Sequence, residues 1–335
     1  MNFSVRIICF ILTLLSVYQT AEARGTWKRE TEKAISIITH ERLFREISFL
    51  SDTLCKGRAT GTKGNIDAAF WINRKFENAG LKSIGGSYGS HFTTPTGAHA
   101  HNVIGMIPGA LSMPRKEYII VGAHFDHLGE LNGVVYPGAD ANASGTVALT
   151  SLAEIFAAMK DMGKVYDTNI LFVAFDAKEM DMAGSEALWK LIEYGILKDP
   201  LTGEAISKSS IKLMVNIDQI GTSLSPIHSN RPDYMIMLGT ESLPKDKRMN
   251  LEACNGLHNI NLDICLSYYE SPTFTKVFYR LSDQRIFVDN KIPAVLFTSG
   301  ITMNTNKTRD TATSLDIDVL HKRIRLIYHW IESML

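Results

Sequence analysis

Three short apolar runs, each followed at once by residues able to do chemistry, constrain this chain more than any other feature. Tyr118–Ala123 runs into His124-Phe125-Asp126-His127, Asn169–Phe175 into Asp176-Ala177-Lys178-Glu179, and Lys212–Ile217 into Asp218. Short, almost wholly apolar runs rich in Val and Ile read as strands buried on both faces, as in a parallel sheet. Helical stretches lie between them, about Ser144–Met162 and Gly184–Tyr194. The alternation predicts an α/β protein with a mixed, mainly parallel central sheet flanked by helices on both faces. Further strands are expected at Asn102–Ile107, Tyr234–Leu238 and Ala294–Phe297, and a terminal helix at Val319–Met334. Upstream, residues 28–50 read as one helix and a second amphipathic helix stops at Gly80. Residues 83–101, rich in Gly, Ser, Thr and His, read as irregular.

Charge excludes one class of function. The 35 Lys and Arg balance the 35 Asp and Glu. No basic stripe marks a nucleic-acid surface, so nucleic acid is not an expected partner. With 45% hydrophobic residues the chain is not disordered. Arg6, the apolar run Ile7–Val17 and Ala21-Glu22-Ala23 form a signal-peptide pattern over residues 1–23. Its apolar core is shorter than the ~20 residues a bilayer span needs. The expectation is a single domain over residues 24–335, exported to the periplasm or secreted, without membrane contact after cleavage. Cys55, Cys254 and Cys265 then remain. Cys254 and Cys265 are close enough to bridge in an oxidising compartment, and three buried thiols are the alternative.

In open α/β sheets, sites form at the carboxyl ends of strands. His124, Asp126, Lys178, Glu179 and Asp218 all follow strand ends, and Gly138-Ala139-Asp140-Ala141-Asn142-Ala143-Ser144-Gly145 forms a turn that opens a helix. Taken singly, a strand-end Asp is a turn or cap residue, and Asp140 with Ser144 is a helix cap. Jointly, one His and three acids are donors suited to zinc or a similar divalent ion. Asp126, two residues beyond His124, is placed to reach the imidazole and orient it.

These segments, with Asn216-Ile217-Asp218-Gln219-Ile220-Gly221, Gly57-Arg58-Ala59-Thr60-Gly61-Thr62 and Asn102-Val103-Ile104-Gly105, resemble the signatures of the co-catalytic dizinc aminopeptidases, metallopeptidase family M28. The resemblance covers nearly the whole mature chain and implies a zinc-exopeptidase-like fold and hydrolysis of N-terminal peptide bonds. By that resemblance, His124, Asp218 and a bridging Asp140 would hold one metal. Asp140, Glu179 and a late histidine would hold the other, and the residue before Glu179 would be a glutamate acting as general base.

The sequence departs from the pattern at two of these positions. Lys178 stands at the base position and Asn306 at the late ligand position. Gln284 replaces a histidine after Ser282-Asp283, and Ala141 replaces an acid after Asp140. Asp140, Glu179 and Asp218 with one lysine leave two formal negatives, which one dication neutralises. One zinc ion is therefore expected rather than two. An ammonium of ordinary pKa ~10.4 accepts no proton at neutral pH, so Lys178 is a base only if burial lowers its pKa strongly. The expectation is an exported aminopeptidase-family protein acting on, or receiving, a peptide or aminoacyl ligand, with dizinc turnover weakened or lost. A non-catalytic peptide-binding or scaffold protein is the alternative. A glutaminyl cyclase is the poorer reading, because the resemblance places that chemistry in the damaged half-site.

Overall fold

Four parallel strands form the centre of the sheet: β4 (Tyr118–His124), β7 (Asn169–Phe175), β8 (Ile211–Ile217) and β11 (Ala294–Thr298). They lie in the order β7-β4-β8-β11. Strand β3 (His99–Ile107) flanks β7 antiparallel, and β9 (Tyr234–Leu238) flanks β11 antiparallel. The edges are β1 (Lys82–Ser83) and β2 (Gly89–Thr93) on β3, and β10 (Asp263–Cys265) on β9. β5 (Gly129–Leu131) and β6 (Val134–Tyr136) form a separate small hairpin. This computed structural model describes residues 27–110, 116–224 and 231–335. The segment expected to be a signal peptide, residues 1–23, lies outside them.

Alternating side chains divide the central strands between two cores, as the two-residue period of a strand requires. On one face Ile119, Val121, Phe172, Ala174 and Val215 pack under α2 (His40–Ser51), α3 (Lys63–Asn78), α4 (Gly145–Asp161) and α9 (Ile317–Glu332). On the other, Ile120, Leu171, Val173, Phe175 and Met214 pack under α5 (Ala183–Glu193) and α8 (Arg285–Asp289) through Leu188, Trp189, Ile192 and Phe287. Both faces of the sheet are covered, as the apolar runs require. Among the described residues, no helix is long and apolar enough to cross a membrane.

The structure corrects two local expectations. The helix expected over 28–50 is two, α1 (residues 27–35) and α2, because Thr39 breaks it and caps the second by accepting from Arg42 N at 3.2 Å. The stretch 83–101 is largely a hairpin, with His91 opposite His101. Its Gly, Ser and His residues pair through the backbone and carry little of the apolar alternation that marks a strand. Of the two readings of the cysteines the unpaired one fits: Cys55 and Cys254 are buried free thiols and Cys265 a partly buried one. In addition, α6 (Lys245–Leu257), α7 (Pro272–Tyr279) and β10 had no counterpart in the sequence reading.

At the seam between α6 and α9, His258 stacks on His329 with ring centroids 3.4 Å apart and planes 12° from parallel. Burial, and then His329, pull His258 from 6.5 down to about 4. A base whose folded pKa is lowered contributes stability above its unfolded pKa and loses it as pH falls. The window here is pH 6.5 to about 4. We expect His258→Gln to melt below wild type at pH 8, and the gap to close or reverse at pH 4.5. Melting both proteins at both pH values isolates this one histidine from other titrating groups. A gap independent of pH would show that the stack does not titrate there.

Candidate active site

The four parallel strands deliver the chemistry-bearing residues to one edge of the sheet. Register pairs Gly122 with Asn216 and His124 with Phe175, so the residues just beyond them lie side by side across neighbouring strands. His124, wholly buried, places Nε2 3.2 Å from Asp218 Oδ1. Ser282 Oγ donates to Asp218 Oδ2 at 2.5 Å. On the other side of the imidazole, Nδ1 lies 3.1 Å from the carbonyl oxygen of Asp126 and 3.5 Å from its Oδ1. The Asp126 carboxylate does a second job. It accepts the backbone N–H groups of Lys178 and Glu179, each at 3.0 Å, and so fixes the turn after β7 beneath His124.

Lys178 reaches Glu179, with Nζ 3.1 Å from Oε1. Burial alone would lower its pKa, but Asp218 foremost, then Glu179 and Asp126, raise it above the ordinary lysine value. These acidic neighbours favour the ammonium form of Lys178 over a neutral base. Burial would likewise lower His124, yet Asp218 first, with the Asp126 contact, pushes it up to about 10. Burial would raise Asp218, and its partners His124, Lys178 and Ser282 hold it well below the usual carboxylate range.

Asp140 sits in the turn that opens α4. Gly138 enters that turn at φ +60°, where a Cβ would lie 2.4 Å from the His127 ring, so glycine is required. Asp140 Oδ1 accepts from Gly221 N at 2.7 Å and Ser144 Oγ at 3.1 Å, while its buried Oδ2 has no hydrogen-bond partner. Burial, and then Asp310, push its pKa up to about 7. Asp310 accepts the backbone N–H groups of Asp140 at 2.8 Å and Ala141 at 3.1 Å. Beneath the turn lies Arg58, fully buried, donating to the carbonyls of Leu50, Phe125, Pro137 and Gly138 at 2.5–2.8 Å.

A cleft of about 270 Å³ opens over these strand ends. Lys178, Asp218, Gln219, Ser282 and Asn306 line its polar side. Asn306 is exposed and held at φ +58° in the loop after β11. Among the described residues, no three His, Cys, Asp or Glu side chains converge as a metal-holding group. The expected set His124, Asp140 and Asp218 is thus not gathered. Asp218 turns to His124 and Ser282, whereas Asp140 turns to Gly221 and Ser144. Glu179 is engaged by Lys178 and, with Asn306 in place of a histidine, forms no second group.

Sequence reasoning gave no role in the site to Arg58, Ser282, Asp310 or Gln219, although Asp310 stands where the resemblance expects it, after Asn306. Arg58 and Ser282 stand within quoted motifs, but nothing local shows that their partners come from other segments. Gln219, whose Oε1 accepts from Thr305 Oγ1 at 3.0 Å, tethers the Asn306 loop and carries no sequence signal.

Comparison with known proteins places this arrangement. The family model described as Peptidase family M28 matches residues 102–331. No curated protein matches the sequence. Among solved structures, the Legionella pneumophila LapA aminopeptidase superposes with TM-score 0.68 at 18% identity, covering 92% of this chain and 75% of that one. BSAP, a zinc aminopeptidase from Bacillus subtilis, superposes with TM-score 0.65 at 12% identity, covering 88% and 95%. A Porphyromonas gingivalis glutaminyl cyclase superposes with TM-score 0.64 at 13% identity, covering 89% and 99%. At these identities the likeness is one of fold.

Proposed function

The chain belongs to peptidase family M28, and from that premise we propose that it is an exported member whose two-metal aminopeptidase chemistry is lost or strongly weakened, while its cleft still receives a peptide or aminoacyl ligand. The observation that carries the reading is the Lys178 ammonium, 3.1 Å from Glu179 and facing the same cleft as Asp218 and Asn306. A general base needs a pKa near the working pH, and a lysine held above its ordinary value has none to offer. Export rests on Arg6, the apolar run Ile7–Val17 and Ala21-Glu22-Ala23.

The residues do not fit a pair of zinc ions. Glu179 is already paired with a cation, and an Asn amide is a poorer zinc donor than imidazole. Bound zinc would polarise a carbonyl and activate water. His124, Asp140 and Asp218 are donors of the right type for a single ion, and Asp140 Oδ2 is unpartnered, but the three do not converge. One ion is the most this set supports, and no step of a reaction is assigned to it. What the chain's own groups do is hold charge: Lys178 and His124 face Glu179 and Asp218, and Asp126 locks their loop.

Metal analysis with a panel of aminoacyl amides tests the reading. We expect no more than about one zinc per chain after incubation with zinc, and turnover near background. Peptide amides should still bind, seen by calorimetry. Two bound ions with robust aminopeptidase turnover would overturn it.

A further inference from the structure

The cleft does not end at its polar wall. Tyr268, Phe278 and Ile301 form its apolar side and also line a second hollow of about 510 Å³ that continues outward. That hollow adds Tyr269 and Phe274, which are 54% and 56% exposed. The rings form a row. Phe278 stacks on Tyr268 at 4.2 Å, Phe274 lies 6.2 Å beyond Phe278 with planes 24° apart, and Tyr269 meets Tyr268 edge-on at 4.8 Å. Phe274 and Phe278 are four apart on α7 and so share one helix face. Tyr269 and Glu270 both hold left-handed φ angles, +49° and +53°, a conformation non-glycine residues seldom adopt and that clusters at ligand sites.

We propose that this aromatic row is an outer subsite for an extended peptide, taking an apolar side chain at the third position while the first side chain lies in the inner cleft. The inference rests on the peptide-binding reading above. Side chains on the same side of an extended chain repeat every ~6.8 Å, since each residue advances ~3.4 Å. Phe278 lines both hollows and Phe274 the outer one alone, 6.2 Å further along the row, so an extended chain lying in the inner cleft reaches the outer hollow within a few residues. Among the described residues no charged side chain lines the outer hollow, so an apolar or aromatic third residue suits it and an acidic or basic one does not. The continuity of the two hollows through shared walls is what assigns the row to a ligand entering the cleft.

Calorimetric titration of wild type with two tripeptide amides, phenylalanyl-glycyl-phenylalanine and phenylalanyl-glycyl-serine, tests this. The first should bind about tenfold tighter, as burial of one aromatic side chain against aromatic walls supports. Phe274→Ser should erase that preference while leaving the serine peptide's affinity unchanged. Tyr269→Ser serves the same purpose should Phe274→Ser fail to fold. Equal affinities in wild type, or a preference that survives both substitutions, would overturn the outer subsite while the peptide-cleft reading stands. Failure of both peptides to bind would remove both readings. Equal peptide affinities, combined with self-association or binding to phosphatidylcholine vesicles that Phe274→Ser abolishes, would assign the row to another copy or to lipid and overturn the proposal.

Discussion

The double variant Lys178→Glu/Asn306→His should take up close to two zinc ions per chain and gain aminopeptidase turnover of about 10²–10⁴-fold over wild type, the usual contribution of general-base catalysis. Each substitution alone should recover little. Lys178→Glu removes the ammonium that pairs with Glu179 at 3.1 Å and supplies a carboxylate able to accept a proton. It leaves an amide where imidazole is needed. Asn306→His supplies the better donor, but the ammonium still competes with metal for Glu179. Position 306 accepts the change because its φ of +58° lies in the left-handed region, where Asn and His are both enriched. Both positions line the one cleft, so the gains should be strongly non-additive. Zinc content by elemental analysis and rates on aminoacyl amides read the two effects separately. Two ions bound without activity would place further damage at Gln284 or in the ligand pocket. Full turnover by Lys178→Glu alone would show that Asn306 does not limit metal binding.

Replacement of Arg58 should have the largest effect on stability. Its guanidinium bonds four carbonyls from three segments: the end of α2, the residue after His124 and the turn leading to Asp140. Each buried carbonyl left unpartnered costs about 1–3 kcal/mol. Burial of the charge, which pulls the Arg58 pKa down to about 10, offsets part of this. Arg58→Met should therefore lose at least about 4 kcal/mol, a large share of the 5–15 kcal/mol that ordinarily holds a domain together. Arg58→Lys should recover little, because a single ammonium does not reproduce a planar fork that spans four acceptors. Denaturant melts give the answer directly. A loss under 1 kcal/mol for Arg58→Met would mean that the four carbonyls find other partners.

The centre of this protein was legible before any coordinates. A strand buried on both faces must be apolar throughout, and a strand end in a parallel sheet must turn outward, so both signals lie within a few consecutive residues. Tyr118–Ala123 with His124, Asn169–Phe175 with Lys178 and Glu179, and Lys212–Ile217 with Asp218 carried the sheet and the line of chemistry along its edge. The β2–β3 hairpin, the break at Thr39 and the helices α6 and α7 were not legible, because turns, caps and edge pairing depend on partners outside the local pattern. The same limit separates the residues of the site from their behaviour. Sequence placed Lys178 where a base would stand. Whether burial would lower its pKa or acids would raise it depended on Asp218, forty residues away on a strand beyond β4. Sequence likewise gathered His124, Asp140 and Asp218 as one donor set. Hydrogen bonds from Ser282 and Gly221 turned the two carboxylates to different partners, since a side chain settles on whichever donors the folded chain brings within reach.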